Sequence, residues 1–139
     1  MTEDIELRGQ CMCGSVQVRA ASNRNRVAIC HCDMCRRWSS GPFMSVNCRE
    51  VAFNNEGSVS RVRSSDRAER GFCRECGSNL FYRIVGQTNY QMAAGIFNNQ
   101  DQFRMALQVF VDEKPSYYSF SEQTKCMTAA EVLAIHAPK

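Results

Sequence analysis

Seven of the nine cysteines in this 139-residue chain fall into three short clusters. They are Cys11-Met12-Cys13-Gly14, Cys30-His31-Cys32-Asp33-Met34-Cys35 and Cys73-Arg74-Glu75-Cys76-Gly77, while Cys48 and Cys126 stand alone. Thiolates at such spacing are ligands for a borderline-soft ion such as Zn2+. In a strand, residues i and i+2 share a face about 6–7 Å apart. Sulfurs around one zinc sit closer, so a C-x-C must bend slightly to offer both thiolates to one metal. A C-x-x-C does so through a tight turn, and Gly77 after Cys76 suits that turn because glycine adopts positive φ without steric cost.

A closed tetrahedral zinc site takes four ligands, and the two pairs supply four. The simplest partition has Cys11, Cys13, Cys73 and Cys76 around one structural zinc. Cys30, Cys32 and Cys35 then hold a second zinc and leave one coordination position open, which is what separates catalytic from structural zinc. Spacing alone also permits Cys30 or Cys32 to pair with the third cluster. Cys48 and Cys126 read as buried free thiols of the core.

The composition fits a reduced, folded protein. Hydrophobic residues are 44% and charged residues 22% of the chain, which excludes a disordered one. A formal charge of +3 is too weak and too scattered to imply nucleic acid or an anionic membrane. No apolar run approaches the roughly 20 residues needed to cross a bilayer. The opening Met1-Thr2-Glu3-Asp4-Ile5-Glu6 is acidic and lacks the layout of a secretory signal. The expectation is a cytoplasmic protein, where clustered cysteines bind metal or act in catalysis rather than pair as disulfides.

The elements that must position these clusters read as short strands in one domain spanning residues 1–139. Ser15–Arg19 alternates apolar with polar residues, and similar runs are Arg26–Ile29, Phe43–Val46, Val51–Phe53, Val59–Val62, Asn79–Ile84, Tyr90–Ala93 and Leu107–Val111. Turn signals between them include Asn54-Asn55-Glu56-Gly57, Gly86 and Asn98-Asn99. Such a pattern predicts a mainly β sandwich or barrel. Thr128-Ala129-Ala130-Glu131 is a capping box that predicts a short C-terminal helix, ended by Pro138 and carrying His136.

Taken together, the clusters resemble the glutathione-dependent formaldehyde-activating enzyme (GFA) family, which also includes centromere protein V. The resemblance rests on Gly9 to Val16, on Cys30 to Trp38, and on Ser64-Ser65 followed by Arg70 to Leu80, and extends from about residue 8 to residue 112. It implies a β-tent, a twisted pair of antiparallel sheets around zinc. It also implies the partition above, with the chemistry at Cys30, Cys32 and Cys35. Two positions depart from the family pattern. Gln108 stands where the family often has histidine, and Ser116-Tyr117 follows Lys114-Pro115 where the family often has tryptophan.

The activity so implied is a carbon–sulfur lyase of the S-(hydroxymethyl)glutathione synthase type, joining a glutathione-like thiol to formaldehyde or cleaving the adduct. Zinc held by three thiolates would orient and deprotonate the thiol. Arg36 and Arg37 are candidates for pairing with the thiol's carboxylates, and Trp38 for a pocket wall. His31, in an extended segment between two ligands, should point away from the metal. Two other functions stay open: a non-catalytic zinc-binding module, and a thiol redox or zinc-handling protein. The partner expected is a small thiol such as glutathione, with no nucleic acid and no membrane. Monomer and homo-oligomer are both open.

Overall fold

The computed structural model describes residues 4–23 and 25–135. The chain forms two compact units interleaved in sequence. One comprises the stretch up to Asn25 with Ser45–Phe103, and the other Arg26–Met44 with the stretch from Arg104 onward.

The first unit is antiparallel throughout. Strand β1 (Ile5–Gln10) pairs with β2 (Gln17–Ser22), and β2 pairs in turn with β4 (Phe43–Phe53). From β4 the order continues through β8 (Tyr90–Ala93), β7 (Asn79–Ile84) and β6 (Ala68–Cys73) to β5 (Val59–Arg63). Period-two alternation explains β1 and β2, whose Leu7, Gly9, Val18 and Ala20 turn inward while Arg8, Gln10, Gln17 and Arg19 turn out. The core contains Leu7, Val46, Leu80, Phe81 and Met92, all essentially without solvent contact. Phe81 meets Tyr90 edge-on at 4.9 Å between ring centres.

Two departures from the sequence expectation have local causes. The runs Phe43–Val46 and Val51–Phe53 are one strand, β4, bent where Glu50 takes a positive φ of 52° and the register with β2 shifts. Strand β6 was not expected, because Arg70 and Gly71 interrupt its apolar pattern. Arg70 is buried over the ring of Tyr82 at 5.0 Å, and Gly71 leaves the space filled by Phe81.

The second unit holds β3 (Arg26–Cys30), β9 (Arg104–Val109) and β10 (Lys125–Met127), paired in parallel in the order β10-β9-β3. Helix α1 (Asp33–Ser39) follows β3, and α2 (Ala129–Ile135) follows β10. The C-terminal helix is thus present, and its capping box is formed. Glu131 N donates to Thr128 Oγ1 at 3.2 Å and Thr128 N donates to Glu131 Oε1 at 2.8 Å. His136 and Pro138 lie outside the described residues. Both helices also draw on a 3-10 turn at Val111–Glu113, entered through Phe110 at φ 57°. Asp112 accepts from Ala129 N and Glu113 from Asp33 N, so one turn with a left-handed bulky residue at its start satisfies donors at two helix starts.

Candidate metal centres

Each unit carries one of the two cysteine groups. In the first unit Cys11, Cys13, Cys73 and Cys76 bring their sulfurs within 4.8 Å of one another. Cys11 and Cys13 lie in the turn after β1, with Gly14 at φ 81°, rather than in a bent strand. Cys73 closes β6, and the turn to Cys76 is sealed by Gly77 N donating to Cys73 O at 2.8 Å, with Gly77 at φ 81° as the spacing predicted.

The sulfur separations test whether a tetrahedral ion fits. Four ligands at about 2.3 Å from zinc stand about 3.8 Å apart. Cys11 Sγ lies 3.6 Å from Cys13 Sγ, and Cys13 Sγ lies 3.9 Å from Cys73 Sγ. Val16 N donates to Cys11 Sγ and Glu75 N donates to Cys73 Sγ, each at 3.3 Å, which favours thiolate at both. Ser78 Oγ, 3.2 Å from Cys76 Sγ, draws the Cys76 thiol down to about 5. Burial pushes Cys73 up to about 11. The donor set, the spacing and the N–H···S contacts all fit a closed tetrathiolate site.

In the second unit Cys30, Cys32 and Cys35 form a group of three, again with all sulfurs within 4.8 Å. Among the described residues no fourth histidine, cysteine or carboxylate joins them. Cys30 ends β3. Cys32 is the N-cap of α1, its sulfur accepting from Cys35 N at 3.3 Å, and Cys35 lies in the first turn. The neighbouring thiols Cys32 and Cys35, followed by burial, push Cys30 far above the ordinary thiol range. Three thiolates this close repel one another unless a cation shares the site, so a divalent ion fits the donor set.

Helix α1 is short and its sequence is polar, so no strand or helix pattern announced it. Asp33 in its first turn and Arg36 and Arg37 in its last complement the helix dipole. Arg37 lies 3.0 Å from Asp33 and its side chain is 79% exposed. Arg36 donates from Nε to the backbone oxygen of His31 at 2.9 Å. Trp38 packs against Phe43 at 5.1 Å between rings.

His31 is fully buried and held on both ring nitrogens. Nε2 lies 2.8 Å from Gln108 Oε1, and Nδ1 lies 2.8 Å from Tyr118 Oη. Gln108 Nε2 donates to Thr124 Oγ1 at 3.0 Å, which leaves Oε1 as the acceptor facing His31. His31 therefore carries its proton on Nε2 and accepts the Tyr118 hydroxyl on Nδ1. Burial lowers its pKa, consistent with a neutral ring. With both nitrogens engaged His31 is not a ligand. The sequence marked Gln108 only as a departure from a family pattern, and nothing in it linked Gln108 to His31. Cys48 is buried as expected, but Cys126 is exposed on the short strand β10, which corrects its assignment to the core.

The fold and these clusters define a mainly β protein with two thiol groups, each able to hold a metal ion. The chain belongs to the glutathione-dependent formaldehyde-activating enzyme family, whose model matches residues 6–113. It is similar to an uncharacterized lyase of Schizosaccharomyces pombe, 33% identical over 130 residues that span 92% of this chain and 95% of that protein. Its fold is similar to the crystal structure of a Rhodobacter sphaeroides protein, with a TM-score of 0.59 and 19% identity over 70% of this chain and 96% of the other. No helix among the described residues is long and apolar enough to cross a membrane.

Proposed function

We propose that this protein catalyses the reversible joining of a glutathione-type thiol to a small aldehyde, formaldehyde above all, at Cys30, Cys32 and Cys35. The observation that carries the reading is the contrast between the two groups, four thiols closing one site and three leaving the other a ligand short. Zn2+ bound by the three cysteines would supply the positive charge that lets a thiol ionise at neutral pH. The forward reaction forms one carbon–sulfur bond and breaks the carbonyl π bond, and the thiol's proton ends on the new hydroxyl. No oxidant or reductant is needed. Cys11, Cys13, Cys73 and Cys76 hold a second, structural zinc.

The chain's own residues do the rest. Arg37, exposed and paired with the exposed Asp33, can exchange it for a carboxylate of the thiol, since such surface pairs are worth ~1 kcal/mol or less. Arg36 offers further positive charge beside the cluster, and Trp38 on Phe43 forms an apolar wall. The relative's printed description as a lyase supports the reaction class, and a reducing, cytoplasmic setting would keep the thiols available.

The test is exchange spectroscopy by NMR on an equilibrium mixture of glutathione, formaldehyde and their adduct. The wild type should raise the exchange rate above the spontaneous one, and Cys32→Ser should return it to background. Equal rates with and without wild-type protein would overturn the reading.

A further inference from the structure

We infer that Gln108 and Tyr118 are positioning residues of the three-cysteine centre, acting through His31. The inference rests on the reading of Cys30, Cys32 and Cys35 as a metal centre and goes beyond it, since it assigns roles to two residues that supply no metal ligand.

Residue 31 is the single link between two of the three ligands, and every polar group it owns is engaged. Its N–H donates to Val109 O at 3.1 Å, and its C=O accepts from Arg36 Nε at 2.9 Å. Its ring donates to Gln108 and accepts from Tyr118. Two of the anchoring segments, β9 and the stretch after Lys114, are distant in sequence from His31, and the third, Arg36 of α1, is five residues on. Gln108 is itself buried and held by Thr124, and Tyr118 lies against the His31 ring at 5.5 Å between centres.

A peptide pinned at four points cannot rotate to turn Cys30 or Cys32 away. The thiols are therefore presented as a set before any ion arrives, and the ion does not have to pay for ordering them. A site with only three protein ligands gains most from this, because it has no fourth ligand to hold the others in place. Removing the Gln108 oxygen would leave a buried His31 N–H without its acceptor, which drives the ring, and with it the Cys30–Cys32 backbone, to another arrangement.

The experiment is titration of the full chain, stripped of metal and reduced, with Co(II), read by thiolate-to-metal charge-transfer and ligand-field absorption. Cys32→Ser supplies the spectrum of the four-cysteine centre alone. In Gln108→Leu the three-cysteine centre should bind Co(II) about 10–100-fold more weakly with an altered ligand-field band, and the four-cysteine centre should be unchanged. Gln108→Glu, which keeps an oxygen facing Nε2, should restore most of that affinity. Tyr118→Phe, which removes only the hydroxyl, should weaken the same centre in the same direction and decides the matter if Gln108→Leu does not fold. Wild-type affinity and spectrum in folded Gln108→Leu, or in Tyr118→Phe when Gln108→Leu does not fold, would overturn the inference while leaving the metal reading intact. A wild type that binds a single Co(II) would instead remove the metal reading, and the inference with it.

Discussion

Cys13 and Cys73 are 60 positions apart in the chain, yet their sulfurs are 3.9 Å apart. That separation is too long for a disulfide and right for two ligands of one tetrahedral ion. It pins the turn after β1 to the turn after β6, so an ion there closes a long loop.

The first prediction follows from that closure. Cys76→Ser should unfold cooperatively at much lower temperature than the wild type, with a loss of more than about 3 kcal/mol out of the ~10–16 kcal/mol a structural zinc site can supply. Cys35→Ser, in the three-cysteine group, should lose far less. Circular dichroism melts of the two variants beside wild type check this, and an equal loss in both would mean that the four-cysteine group does not carry the fold.

Gly9 stands two residues before Cys11, and a Cβ there would lie 2.1 Å from the backbone oxygen of Ile96. Backbone cannot step aside as a side chain can, so Gly9→Ala should be strongly destabilising, by about 3 kcal/mol or more at the upper end of overpacking costs. Gly71→Ala would meet the Phe81 ring at 2.2 Å, and a ring can tilt, so its cost should be smaller. Urea denaturation of both variants gives the order directly.

The two solitary cysteines should differ in reactivity. Burial pushes the Cys48 thiol up to about 12, whereas Cys126 is exposed. Iodoacetamide on the native protein, metal-loaded to protect the clusters, should modify Cys126 readily and leave Cys48 intact, as read by peptide mass spectrometry. Linkage gives a second consequence. In the unfolded chain Cys48 loses its proton near its ordinary value, about 8.5, while in the folded chain it keeps it to about 12. Above about pH 8.5 the unfolded state therefore binds fewer protons, and stability falls as pH rises toward about 12. Cys48→Ala should flatten that alkaline slope.

At the C-terminal helix, Thr128→Ala removes one half of the capping box and should cost about 1 kcal/mol of local stability, read as faster amide exchange in α2. Hydrogen bonds from Thr128 hold the Glu131 carboxyl below its usual range. The Glu131 half of the cap is therefore present above the ordinary carboxylate pKa and is lost as pH falls through the lowered one. Protection factors in α2, taken relative to the intrinsic exchange rate at each pH, should fall on acidification, and less so in Glu131→Gln.

What the sequence disclosed follows from how local each signal is. The C-x-x-C turn with Gly77 and the Thr128–Glu131 box depend on residues within a few positions of one another and stand in the structure as read, while the C-x-C pair is brought together by a turn instead of a bent strand. The strands Asn79–Ile84 and Tyr90–Ala93 are short apolar and aromatic runs on either side of the Gly86 turn, and both are bounded as read. Strand β6 hid behind a buried arginine that lies over the ring of Tyr82, its register partner on the next strand. The parallel pairing of β3 with β9 joins segments more than 70 residues apart, and no local pattern encodes that choice. The same distance concealed the Gln108–His31–Tyr118 arrangement, because a glutamine and a tyrosine become site residues only once the fold brings them to the histidine.

Two distinct metal centres, one closed by four cysteines and one a ligand short, require two bound ions per chain. Native mass spectrometry of the zinc-loaded protein tests this most directly, with Cys32→Ser alongside. Two zinc ions in the wild type and one in Cys32→Ser are predicted, with a glutathione adduct in the wild type that the variant does not form. One zinc or none in the wild type, or two in Cys32→Ser, would contradict it.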